Sequence, residues 1–158
     1  MLLTGKIIFD PKNVTKKHSR QGTWKKTAMV LFSNTELDAM WRWYLYKRFK
    51  LITQQPLRKA HTTFINDRYT NDIKWKETSL KYKNKKVSVD ISSILKSDNE
   101  HWWLTIDKYP EILYDIRSEL GLSREPYFKP HFTVGLVNWR NLEHSKYIKR
   151  LLKRKDIY

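Results

Sequence analysis

At 158 residues and 19.3 kDa the chain is sized for one domain, or for two small lobes sharing a core, which excludes an assembly of independent modules. Lys and Arg total 32 against 16 Asp and Glu, and the net charge of +16 favours anionic partners: nucleotides, nucleic acid or acidic lipid. Cysteine is absent, which excludes disulfide scaffolds, thiolate zinc sites and cysteine nucleophiles.

No apolar run approaches the roughly 18–20 residues a membrane span needs, and Met1-Leu2-Leu3 is cut short by Thr4, Gly5 and Lys6. The chain therefore reads as a soluble, cytoplasmic protein with no membrane partner, a single domain over 1–158.

In chain order, residues 6–9 form a short strand ending at Asp10-Pro11, and 12–26 is a basic loop. Residues 27–32 are an apolar run suited to a buried strand. Ser33 with Glu36 fits a capping box, and Leu37, Met40, Trp41, Tyr44 and Leu45 make the core stripe of a helix over 35–49. Pro56 leads into a second strand over 60–65. The charged stretch 71–86 is open between loop and short helix. Val87, Val89 and Ile91 alternate as in a half-buried strand, and 102–106 forms another, expected to be its antiparallel neighbour. A helix over 110–120 opens at Pro110 and stops at Gly121. A strand over 130–137 and a basic C-terminal helix marked by Leu142, Ile148, Leu151 and Leu152 complete the chain.

One pattern occurs twice: an apolar strand, an amphipathic helix, a Pro-containing loop and a strand beginning His-x-Thr, over about 27–65 and about 102–137. With 5 His and 12 Thr, chance placement gives about 0.4 such triplets, and two are present. Side chains two apart on a strand share a face, so His61 with Thr63, and His131 with Thr133, each present an imidazole beside a hydroxyl. Thr62 and Phe132 then face the core. If a pseudo-two-fold relates the lobes, both pairs converge on one cleft. There, one His deprotonates an attacking hydroxyl or water, the other protonates the leaving oxygen, and the hydroxyls donate to non-bridging phosphate oxygens. An ordinary imidazole pKa of about 6.5 allows one neutral and one charged ring near neutrality. Arg58, Lys59, Arg68 and Lys129 are placed to draw in the anion.

On His61-Thr62-Thr63-Phe64 and Pro130-His131-Phe132-Thr133-Val134 the chain resembles the 2H phosphoesterase superfamily across about 27–137. The resemblance implies an α+β, bilobal, pseudo-symmetric fold of mostly antiparallel sheets, with a His-x-Thr strand of each lobe lining a central cleft. It also implies that His61, Thr63, His131 and Thr133 are catalytic, with no metal and no cofactor. Thr62 departs from the family pattern, which usually has an apolar residue there. Gly5-Lys6-Ile7-Ile8-Phe9-Asp10-Pro11 and Trp41-Arg42-Trp43-Tyr44 look like the phage anti-CBASS phosphodiesterases, which cleave cyclic di- and trinucleotide immune signals in the host cytoplasm.

Trp75, Trp102, Trp103 and Trp139 are candidates to stack on a base, Trp75 foremost on a loop over the cleft. Tyr127 and Phe128 precede the second motif, and with Trp75, Arg68 and Lys129 Tyr127 completes the expected substrate-binding set. His18, His101 and His144 lack a matching Thr and read as surface or structural. Two other substrates fit the same chemistry, a 2′,3′-cyclic phosphate and an RNA end. A non-catalytic RNA- or nucleotide-binding module is the alternative from another class.

Overall fold

A computed structural model describes residues 1–12, 24–33, 35–51, 53–54, 59–98 and 101–137. Outside them lie residues 13–23 of the stretch expected to loop, the C-terminal stretch expected to be helical, Pro56, Arg58, Trp139, His18 and His144, as do the side chains of Glu36, Met40 and Trp41. The described chain is α+β. In order it runs β1 (Leu2–Phe9), β2 (Ala28–Leu31), α1 (Thr35–Phe49), β3 (Thr53–Gln54), β4 (His61–Ile65), α2 (Asp72–Tyr82), β5 (Lys86–Asp90), β6 (Leu95–Ser97), β7 (His101–Thr105), α3 (Glu111–Glu119) and β8 (His131–Val137).

The strands form two four-stranded antiparallel sheets, ordered β4-β2-β1-β5 and β3-β8-β7-β6. β1 is longer than the apolar run 6–9 because two strands share it: Leu2 to Lys6 pair with β5, and Lys6 to Phe9 pair with β2. β5 buries Val87 and Val89 and exposes its other residues, as the alternation predicts. Its partner is β1, however, and not β7, which corrects the expected pairing. β6 forms a hairpin with β7 through Leu95↔Leu104 and Ser97↔Trp102, and so occupies the side of β7 expected for β5. At three residues, Leu-Lys-Ser is too short for alternation to reveal.

The charged stretch after Asn71 is helical. Asn71 caps α2 by accepting from Lys74 N at 3.0 Å, and Trp75, Thr78 and Tyr82 supply its buried side. α3 ends where Gly121 adopts φ 77, the left-handed conformation glycine takes without steric cost. At Gly135 a Cβ would lie 2.6 Å from Thr53 Cβ, so the missing side chain is what lets β3 approach β8.

One continuous core joins both sheets, with Phe32 at the end of β2 packing on Phe132 of β8 at 5.8 Å between ring centroids. α1 follows β2 of the first sheet yet lies against β3 and β8 of the second, and its Phe49 packs on Trp102 at 5.2 Å. α3 follows β7 of the second sheet and reaches the first through Arg117. That side chain is wholly buried. It donates to Phe64 O at 2.8 Å, to Ser123 O at 2.8 Å and to both carboxylate oxygens of Asp67 at 2.7 and 3.3 Å.

Removing Arg117 leaves the Asp67 carboxylate and three carbonyls, those of Phe64, Ser123 and Glu125, without this donor, at a cost of about 3–5 kcal/mol. Arg117→Met is expected to lower the unfolding free energy by that much, with urea titration followed by far-ultraviolet circular dichroism as the check. A loss under about 1 kcal/mol would show that Arg117 does not join the sheets.

Candidate functional site

On β4, Thr62 and Phe64 are buried while His61 and Thr63 are half-buried; on β8, Phe132 and Val134 are buried while His131 and Thr133 are half-buried. Each imidazole and its hydroxyl thus share the partly open face, as the i, i+2 spacing predicts.

The two strands are also set identically against their neighbours. β4 pairs with β2 as His61↔Leu31, Thr62↔Val30 and Thr63↔Met29, then slips by one residue to Ile65↔Ala28. β8 pairs with β7 as His131↔Thr105, Phe132↔Leu104 and Thr133↔Trp103, then slips by one residue to Gly135↔Trp102. A bulge follows the threonine in both, where bulges re-aim a strand. Just before each histidine the same bond recurs, Phe32 N donating to Ala60 O at 2.8 Å and Ile106 N donating to Pro130 O at 3.2 Å. Both histidines therefore occupy a non-hydrogen-bonded pair, whose backbone groups point away from the neighbouring strand.

The repetition extends to the rings. His61 Nδ1 lies 2.7 Å from Lys59 O, and His131 Nδ1 lies 2.9 Å from Lys129 O. A carbonyl oxygen only accepts, so each Nδ1 carries the proton and the basic nitrogen of each neutral ring is Nε2.

The outward sides of β4 and β8 meet. His131 O, pointing away from β7, accepts from Thr62 Oγ1 at 2.7 Å. Thr63 O, pointing away from β2, accepts from the Tyr109 hydroxyl at 2.5 Å. The two hydroxyl oxygens are 3.0 Å apart, each directing its single proton at a carbonyl. Burial pushes the Tyr109 hydroxyl well above the ordinary phenol range, which keeps it a donor. Farther along β4, Arg117 holds Phe64 O, and the Tyr127 hydroxyl donates to Asn66 O at 3.3 Å.

Aromatic rings stand beside His131: Trp103 and Phe128 lie edge-on to it at 6.5 and 6.2 Å, and Tyr127 meets Phe128 at 5.0 Å. The Thr105 and Ser92 hydroxyls lie 2.5 Å apart, Thr105 being directly across from His131.

The other sequence candidates divide. Tyr127 is 72% exposed and Lys129 is exposed two residues before His131. Arg68 is exposed beyond the end of β4 opposite His61. Trp75 is corrected: it is 4% exposed, packs on Phe9 at 5.1 Å and Tyr69 at 5.8 Å, and donates Nε1–H to Asp10 at 2.8 Å. Its stretch is a helix that buries the indole, so no face remains for a base. Trp102 is buried and Trp103 half-buried, as alternation requires, and His101 is a surface residue beside Asp98. Tyr109 escaped the sequence analysis. Its only local signal is its place before Pro110, which marks extended backbone and says nothing of where the hydroxyl points.

Among the described residues no three His, Asp or Glu side chains gather as a potential metal site, and no helix is long and apolar enough to cross a membrane. Comparison with protein-family models, curated proteins and solved structures finds no significant match.

The ring geometry makes a direct prediction. Long-range 1H–15N spectra at a pH where both rings are neutral should show His61 and His131 protonated on Nδ1. An Nε2–H signature at either residue would contradict the carbonyl contacts.

Proposed function

We propose that the chain is a metal-independent two-histidine phosphodiesterase of the 2H type, with two pseudo-symmetric lobes presenting His61, Thr63, His131 and Thr133 to one central cleft. The observation that carries this reading is the duplicated setting of the two histidines: same register, same following bulge, same Nδ1 contact to the carbonyl two residues back. Core packing alone asks for none of these in duplicate.

The chemistry follows from Nε2. A neutral imidazole on one strand takes the proton of an attacking water or 2′-hydroxyl as that oxygen bonds to phosphorus. The protonated imidazole on the other strand gives its Nε2 proton to the leaving oxygen as the P–O bond breaks. Protons and charge balance, and the rings end in exchanged protonation states. Thr63 and Thr133 donate to the non-bridging oxygens, where negative charge grows. A net charge of +16 favours arrival of the anion.

The substrate we place first is a 3′–5′-linked cyclic di- or trinucleotide, on the likeness of residues 5–11 and 41–44 to the phage anti-CBASS phosphodiesterases. The matching role is phage counter-defence in the host cytoplasm.

The test incubates the protein with EDTA and a panel of cyclic di- and trinucleotides, a 2′,3′-cyclic nucleotide and a short RNA, and resolves products by chromatography. Cleavage of the cyclic oligonucleotides is expected, falling by about 10²–10⁴ in kcat in His61→Ala and in His131→Ala. Thr63→Val and Thr133→Val should each lose about 10²-fold or more. Because one ring must be neutral and the other charged, kcat/KM should be bell-shaped in pH. Cleavage confined to RNA or the 2′,3′-cyclic phosphate would keep the chemistry and change the substrate. Binding without turnover of any compound would replace the enzyme by a binding module.

A further inference from the structure

We infer that Thr62 is a positioning residue of the two-histidine site: its hydroxyl, reaching from one His-x-Thr strand to the main chain of the other, sets the placement of His131 relative to His61. This rests on the function proposed above for its consequence in turnover, while the placement itself is open to separate measurement.

Thr62 is 1% exposed, and its counterpart in the second motif, Phe132, is likewise 1% exposed and carries no polar atom. The strand therefore does not require a hydroxyl at this position. Valine has the same shape, and a buried hydroxyl without a partner costs about 1–3 kcal/mol. Here the hydroxyl has a partner in the other sheet, His131 O at 2.7 Å. The ring of the same residue is held at Nδ1 by Lys129 O, so its main chain and its side chain are both fixed, one of them from β4. Tyr109 completes the arrangement. By donating to Thr63 O at 2.5 Å it commits its own proton there, and its oxygen lies 3.0 Å from Thr62 Oγ1, beside the hydroxyl that donates to His131. The Thr62–His131 bond thus spans β4 and β8 directly, with Tyr109 bracing Thr62 and Thr63 beside it. A two-histidine mechanism needs the separation of the two strands held, since displacement of a catalytic group by about 1 Å costs around 10²-fold.

The experiment compares Thr62→Val, which removes the hydroxyl and keeps the shape, with Thr62→Ser, which keeps the hydroxyl, each assayed well below its melting temperature. Thr62→Val is expected to lose 10- to 100-fold in kcat with KM changed less than about threefold, and Thr62→Ser to stay within about threefold of wild type. A folded Thr62→Val with wild-type kcat would overturn the inference. So would a loss lying wholly in KM, or one shared equally by Thr62→Ser. Should Thr62→Val not fold, Thr62→Ala serves: it too removes the hydroxyl that reaches His131 O, and unchanged kcat there is equally fatal. If wild type turns over no phosphodiester, the functional reading fails, and the ring resonances judge placement alone. Shifts of the His131 ring in Thr62→Val that Thr62→Ser reverses support it, and an unmoved ring overturns it.

Discussion

The outer edge of β4 is where the two sheets are held together, and the arrangement of both histidines follows from how that edge is satisfied. β4 ends its sheet, so carbonyls that an interior strand would commit to a neighbour must find other partners or water. Tyr109 takes Thr63 O, Arg117 takes Phe64 O and Tyr127 takes Asn66 O. All three donors come from the segment between β7 and β8. Thr62 answers in the other direction by donating to His131 O. Among the described residues no strand pairing joins the sheets; side-chain donors do, and these direct particular atoms more narrowly than a ladder would.

Elements exchanged between the halves reinforce that edge. α1 and β3 leave the first sheet and pack on the second, while α3 returns to the first through Arg117. Neither half buries its apolar surface alone, which accounts for one continuous core in place of two. On the function proposed above, in which two strands present side chains to a common reactant, such interlocking has a mechanical advantage. Separating them means opening the core and uncovering Arg117, so rigid placement of the histidines costs no element built for that purpose.

The two halves of the repeated frame differ in one buried side chain. Thr62 and Phe132, equivalent in register, differ in that only the first carries a hydroxyl across the junction. The Thr62 hydroxyl is buried with an acceptor on the opposite strand.

Much of this was legible in the sequence because it rests on short-range periodicity. Alternation showed β5, and runs of apolar, β-branched and aromatic residues showed β4, β7 and β8; helical spacing showed α1 and α3; the i, i+2 rule placed each imidazole beside its hydroxyl. These features depend only on backbone geometry, which neighbouring residues dictate. Trp75 was misplaced because a charged segment without a strong stripe conceals a helix whose burial is set by Phe9 and Tyr69, distant in sequence. β6 is too short for a pattern, and without it β7 was matched to β5. The chain by itself determined that two His-x-Thr strands exist and which side chains share their faces. That these strands meet, that Tyr109 and Thr62 link them, and that Arg117 closes the junction was decided only by the tertiary structure. Hydrogen bonds between residues 46 to 69 positions apart leave no periodic trace in the sequence.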